Sequence, residues 1–313
     1  SGLTIGLFDT STAVFVDSFS VSAQEGDPAG LAFNTNGTKM FVVGYLGDDV
    51  NEYTLSTGFD VSTASFVDSF SVAAQQTVPL GVRFSTDGTT MFVVGGTSVY
   101  EYALTTGFDV STSVFTDSFN VAGQDTNPTA LAFNADGTKF YIVGNTNNSL
   151  FEYDCSTAFD ISTASYTASS FSVAAQETAP QGLAFNTDGT RMFLIGSAGD
   201  DVNEYALTTG FDISTASFTS AFDVSAQEIN PRDIAFNPEG TKMFILGLSG
   251  VDVNEYDIGS FVSTSGYNPV HTTASIDSTY WTDINSMTAD QAAGDGTINY
   301  AISTDDRTTW GIV

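Results

Sequence analysis

The chain has 313 residues and carries 37 Asp and Glu against 7 Lys and Arg, for a formal charge of −30. A surface this acidic repels phosphate, which excludes nucleic acid and anionic lipid headgroups as partners unless divalent cations bridge them. A hydrophobic fraction of 42% with 26 Phe excludes a disordered chain, the lack of any run of 18 apolar residues excludes a membrane-spanning helix, and the single cysteine excludes an intrachain disulfide.

At the N-terminus, SGLTIGLFDT lacks the basic region and apolar core of a signal peptide, and the missing initiator Met implies a start removed by processing or truncation. Phe8, Asp9 and Ser11 form a turn, and Val14 to Val21 reads as a β-strand. From there the chain repeats itself. Phe8, Phe59, Phe108, Phe159 and Phe211 hold one role at intervals of 51, 49, 51 and 52 residues, and Gly37, Gly88, Gly137, Gly189 and Gly240 keep the same beat. Five copies therefore run from residue 8 to residue 258.

In the fourth copy, Gly182 to Asn186 is predicted as a first strand, closed by a turn at Thr187, Asp188 and Gly189. Arg191 to Gly196 forms the second strand, Ser197 to Asp201 a polar loop and Val202 to Leu207 the third strand. A turn at Phe211, Asp212, Ser214 and Thr215 leads into the fourth, Ser217 to Val224. No segment has helical periodicity. Four-stranded units of about fifty residues must stack on their neighbours to bury both faces, and radial stacking protects their edges. The prediction is an all-β chain forming a β-propeller of four-stranded blades. Because the chain enters in the phase of a fourth strand, Val14 to Val21 completes the fifth sheet, giving five blades over residues 1–260, with six as the alternative.

The stretch LAFNTDGTRMFLIG resembles the first two strands of YVTN-type and TolB-like propeller blades, with an apolar strand, a polar-Asp-Gly turn and a second apolar strand. It departs from them in having the turn Pro only at Pro238 and in its Ser/Thr-rich FDVSTAS connection. The resemblance implies the fold and no particular function.

The tail, 261–313, has diverged. Its YAISTDDRTTWGIV can be aligned on a first and second strand, which is the basis of the six-bladed alternative. Ser303, Asp305, Thr309 and Trp310 resemble the Asp-box of sialidase-like propellers, with Arg307 in place of its Gly. GTINYAISTDDRTTW also resembles modules in large structural proteins of marine phages and bacteria. That likeness implies a piece of a longer virion or surface protein.

One Cys and one His, His271, exclude Ser-His-Asp and Cys-His triads built from the repeats, and multi-His metal centres. Cys155, between Tyr153 and Phe159, reads as a small buried hydrophobe. Gln24, Gln75, Gln124, Gln176 and Gln227 recur four residues before Pro28, Pro79, Pro128, Pro180 and Pro231. They either make a buried inter-blade hydrogen bond or form five equal ligand sites. Glu52, Glu101, Glu152, Glu204 and Glu255 on the third strand face Lys39, Lys139, Arg191 and Lys242 on the second, a pattern of cross-strand ion pairs that leaves Glu101 opposite Thr90. Asp9, Asp60, Asp109, Asp160 and Asp212 read as Asx turns. The loops GDDVN and GVDVN place Asp48, Asp49 and Asn51, then Asp200, Asp201 and Asn203, then Asp252 and Asn254 together, an oxygen-rich grouping suited to a solvated turn or to Ca²⁺.

Five copies this alike offer no paired acid and base in different environments, so no catalytic residue is assigned. The expectation is a non-enzymatic extracellular propeller, in a phage tail or fibre or a bacterial adhesin, with no cofactor beyond Ca²⁺. Its partners would be a cell-surface glycan or protein or other virion or surface proteins, held through repeated weak sites. The alternatives are an inert spacer and a glycoside hydrolase, for which Asp233 and Glu25 are the only candidates for a blade-specific carboxylate at the channel.

Overall fold

The computed structural model describes residues 7–259 and two short strands near the C-terminus. After β1 (Val14–Ser20) come four complete runs of four strands. Blade 1 holds β2 (Pro28–Phe33), β3 (Lys39–Gly44), β4 (Asp49–Leu55) and β5 (Ala64–Ser71). Blade 2 holds β6 (Pro79–Phe84), β7 (Thr90–Gly95), β8 (Ser98–Leu104) and β9 (Ser113–Asn120). Blade 3 holds β10 (Pro128–Phe133), β11 (Lys139–Gly144), β12 (Ser149–Cys155) and β13 (Ala164–Ser172). Blade 4 holds β14 (Pro180–Phe185), β15 (Arg191–Gly196), β16 (Asp201–Leu207) and β17 (Ala216–Asp223). The last three strands, β18 (Pro231–Phe236), β19 (Lys242–Gly247) and β20 (Asp252–Asp257), take β1 as their fourth, paired from Val14 opposite Asp257 to Ser20 opposite Asp252 with a bulge between Phe15 and Asp17. The first strands touch in the cycle β2, β6, β10, β14, β18 and back to β2, so the ring closes at five blades.

A separate antiparallel pair, β21 (Ala301–Ser303) and β22 (Trp310–Ile312), lies in the tail. His271 and the Asp-box residues Asp305, Arg307 and Thr309 lie outside the described residues.

Local chemistry explains the repeat. Within the first turn, Asp188 Oδ1 accepts the Thr190 N–H at 3.0 Å, and Gly189 adopts φ +70°, which side chains disfavour. In the loop between third and fourth strands, Asp60 Oδ1 accepts the Ser62 N–H at 3.2 Å and starts a single 3₁₀ turn, Val61–Thr63. The residue before it, Phe59, sits at φ 58°, a left-handed conformation that costs roughly 1–2 kcal/mol. It is held there because its N–H bonds the Gly37 carbonyl at 3.1 Å and its ring covers the glycine, where a Cβ would overlap it. The same arrangement recurs in all five copies.

The core lies between blades. Each apolar cluster draws on two neighbours, as where Tyr141 and Val143 of blade 3 meet Leu183 and Met192 of blade 4. Phe41, Phe92, Phe140, Phe193 and Phe244 on the second strands are fully buried. Cys155 occupies the place of Leu55, Leu104 and Leu207, and burial pushes its thiol up to about 11, so it is an inert core residue.

Candidate functional site

The first strands surround an axis that is blocked by one ion pair. Arg83 on β6 forms a fork with Asp233 on β18, at 2.9 Å to Oδ2 and 3.1 Å to Oδ1, although blades 2 and 5 are not adjacent. The guanidinium also donates to the carbonyls of Leu31 (2.8 Å) in blade 1 and Leu183 (2.9 Å) in blade 4. Asp233 is wholly buried and additionally accepts the Leu31 and Ile234 N–H groups, both at 2.8 Å. Equivalent positions carry Ala32, Ala132, Ala184 and Ala235 for Arg83, and Gly30, Gly81, Ala130 and Gly182 for Asp233. The sequence signal for this bolt was the lone charge in VRF where its counterparts read LAF or IAF; Arg83 was missed there, and Asp233 is engaged in the bolt.

On one side of the bolt, Phe33, Phe84, Phe133, Phe185 and Phe236 line a half-open funnel of about 360 Å³ with Arg83 at its base. Each ring packs on the left-handed Phe of its own blade's outer loop, as Phe33 does on Phe59 with centroids 5.7 Å apart. In blade 5 that partner is Phe8, 5.5 Å from Phe236.

Four of the five third-strand glutamates, Glu52, Glu101, Glu204 and Glu255, latch their blade to the next. Lys39 Nζ lies 2.7 Å from Glu52 Oε1, and Glu52 Oε2 accepts the Val110 N–H of blade 2 at 3.1 Å. Glu204 pairs with Arg191 at 2.6 Å and accepts the Thr10 hydroxyl at 3.1 Å, while Glu255 pairs with Lys242 and accepts the Val61 N–H at 2.9 Å. Glu101, with no basic partner, accepts from Ile161 N (3.0 Å) and Thr116 Oγ1 (3.2 Å), and burial holds its carboxyl above the usual range.

A second buried set was hidden in the sequence because its residue type varies: Glu25, Gln76, Asp125, Glu177 and Glu228. Glu25 Oε1 accepts the N–H groups of Asp27 (2.8 Å) and Leu46 (3.1 Å), tying the blade's entry to the loop between its second and third strands. Glu228 does the same with Asn230, Ser249 and Gly250 at 2.6, 3.1 and 2.9 Å. Glu25 is thus one of a repeated set and not blade-specific; the alternation of Glu, Gln and Asp obscured the pattern.

The glutamines one residue earlier bond within a blade, which corrects the inter-blade expectation. Tyr153 donates its hydroxyl to Gln124 Oε1 at 3.0 Å, and Tyr53, Tyr102, Tyr205 and Tyr256 reach Gln24, Gln75, Gln176 and Gln227 at 3.4–3.5 Å. The amides stay partly exposed because they lie at the surface end of each tyrosine.

In the acidic loops, Asp48 and Asp200 take left-handed backbone (φ 51° and 53°), as Asn148 and Val251 do at the same position. Asp201 Oδ1 accepts from Asn203 Nδ2 at 2.6 Å, and Asp252 Oδ1 from Asn254 Nδ2 at 2.9 Å. Burial raises the carboxyls of Asp201 and Asp252. Asp49 begins β4, and Asn51 is buried behind it. No three His, Cys, Asp or Glu converge among the described residues.

Residues 7–259 therefore form a five-bladed β-propeller with a blocked axis and fivefold-repeated polar loops. No protein-family model matches the chain, and no curated protein matches it. Solved structures similar to it include a protein of unknown function from Desulfotomaculum acetoxidans (13% identity, 75% of this chain, 72% of that one, TM-score 0.45). Others are a candidate 6-phosphogluconolactonase from Bacteroides uniformis (14%, 74%, 66%, 0.48) and the propeller domain of Cps50 (Swd1) from Myceliophteria thermophila (10%, 79%, 99%, 0.47). Likeness at this level concerns the fold and bears on no substrate or partner.

Proposed function

We propose that this propeller is a non-enzymatic binding or structural module displayed outside the cell, on a virion as part of a tail or fibre or on a bacterial surface as an adhesin. The observation that carries this reading is the use of its carboxylates. Glu25, Glu228 and the latch glutamates are committed to backbone N–H groups or bases, and Asp233, unlike its counterparts in the other blades, is forked by Arg83. A hydrolase needs one carboxyl free to give a proton and a second free to attack or activate water. One set of available polar groups is repeated in every blade: Gln24, Gln75, Gln124, Gln176 and Gln227, each beside a tyrosine hydroxyl, at the end of the blades where the second- to third-strand loops lie. Amides and phenols in this arrangement suit sugar hydroxyls, and five equal weak sites gain by multivalency. The charge of −30 supports a neutral glycan or protein partner over a phosphate-bearing one.

The test is a glycan array read with monomeric and with clustered protein. Binding that strengthens on clustering, with the sugars left intact, supports the reading. Release of reducing sugar that is lost on changing a single carboxylate overturns it.

A further inference from the structure

The junction between blades 3 and 4 differs from the other four in three linked ways. First, β13 has nine residues where β5, β9 and β17 have eight, and the extra length is taken up around Ala168, at φ 68°. Second, Tyr141 replaces the Phe found at 41, 92, 193 and 244, and its hydroxyl donates to the Phe211 carbonyl at 2.5 Å. At two of the other junctions that carbonyl position is held by the second-strand base, Lys39 on Phe108 O at 2.6 Å and Arg191 on Phe8 O at 3.2 Å. Lys139 pairs with Asp154 (2.6 Å) as well as Glu152 (2.7 Å), as Lys242 does with Asp257 and Glu255. Third, the latch is open. Glu152 Oε2 is buried without a hydrogen-bond partner, whereas Glu52, Glu101, Glu204 and Glu255 each spend that oxygen on the next blade. Ser169 Oγ, beside the inserted residue, is also buried and unpartnered.

Lys139, Glu152, Ala168 and Ser169 line a solvent-reaching cleft of about 600 Å³, within the range that small ligands occupy, with Glu152 Oε2 and Ser169 Oγ buried in its wall. A buried acceptor without a donor costs roughly 1–3 kcal/mol, so an occupant that supplies a donor is favoured. The cleft offers Glu152 Oε2 as acceptor, Lys139 Nζ as donor and Ser169 Oγ as either. An anion would meet Glu152 and Asp212, and a divalent cation would meet the Lys139 ammonium with too few carboxylates around it. A neutral diol fits: one hydroxyl donates to Glu152 while its neighbour accepts from Lys139.

We propose that the cleft between blades 3 and 4 is a single, non-repeated subsite for a neutral pyranose, held by Glu152, Lys139 and Ser169. The proposal rests on the glycan-binding reading above but differs from it in stoichiometry and place. The test uses the full chain labelled with ¹⁵N and titrated with methyl glycosides of glucose, galactose, mannose and N-acetylglucosamine. The expected result is a saturable shift of the Ser169 and Ile213 amides at one site per chain. Ser169→Ala should weaken it about fivefold by removing one hydrogen bond. Deleting Ala168, which restores the eight-residue outer strand, should abolish it while the protein still melts cooperatively. Shifts confined to the loops of Gln24, Gln75, Gln124, Gln176 and Gln227 would overturn this subsite and leave the five-site reading standing. No shift with any glycoside would overturn both and leave the cleft to water. An unchanged affinity in Ser169→Ala would also sink the subsite.

Discussion

Phe8 donates its N–H to the Gly240 carbonyl at 2.9 Å and lays its ring over that glycine, so the first described turn of the chain serves the last blade. With β1 paired to β20, this contact fastens the ring at two radii, at the rim and beside the axial funnel.

Ring closure predicts that Phe8 matters as much as its internal counterparts. Phe8→Ala and Phe59→Ala should each destabilise by about 3 kcal/mol. At this size that is a loss of roughly 6–12 °C in melting temperature. Deleting residues 1–21 should expose the edge of β20 and cause aggregation. A truncated protein that melts like the parent would refute the closure.

The axial bolt predicts strong coupling between Arg83 and Asp233. Removing either partner strands a charge near the axis and should cost about 3–5 kcal/mol. The double change Arg83→Ala with Asp233→Gly installs residues found at the same positions in other blades, and should recover most of that loss in urea unfolding. A double variant whose loss equals the sum of the two single losses would show that the pair is not the coupling element.

Glu101 gives a pH signature. Its folded pKa is raised by burial above the unfolded value of about 4.3, so the folded state binds the proton more tightly. Its contribution to stability is therefore lost as pH rises between the unfolded and the folded value. Thr90→Lys supplies the base present in the other four blades and should raise the melting temperature at pH 7. The gain should fade below pH 4, where Glu101 is protonated. An equal gain at both pH values would point to packing instead of charge.

For the GDDVN loops, left-handed backbone at Asp48 and Asp200 and the Asp201–Asn203 bond already explain the residues. We expect the same melting temperature in millimolar Ca²⁺ and in EDTA. A rise with Ca²⁺ that shrinks in Asp49→Asn with Asp201→Asn would instead make them calcium sites by mass action.

The repeat made the blades legible, because strand, Asp-Gly turn and Asx turn are local features governed by residues within a few positions of each other. Arg191 to Gly196 was placed to the residue, and the phase of Val14 to Val21 carried the closure. The buried Glu25 set was not legible, since burial depends on which loops fold over a side chain, and Glu, Gln and Asp serve equally as acceptors for those N–H groups.

The sequence by itself determined the periodicity, the five repeats and the identity of the turns, since each follows from short-range chemistry repeated in register, while closure at five blades instead of six was settled by the contacts between first strands. Only the tertiary structure decided which charges are spent and which are free. Arg83 and Asp233 meet across an axis that no local rule describes. Glu152 Oε2 finds no partner in the next blade at the one junction where the outer strand carries an added residue. Both outcomes depend on distances between segments far apart in the chain, which ring closure sets.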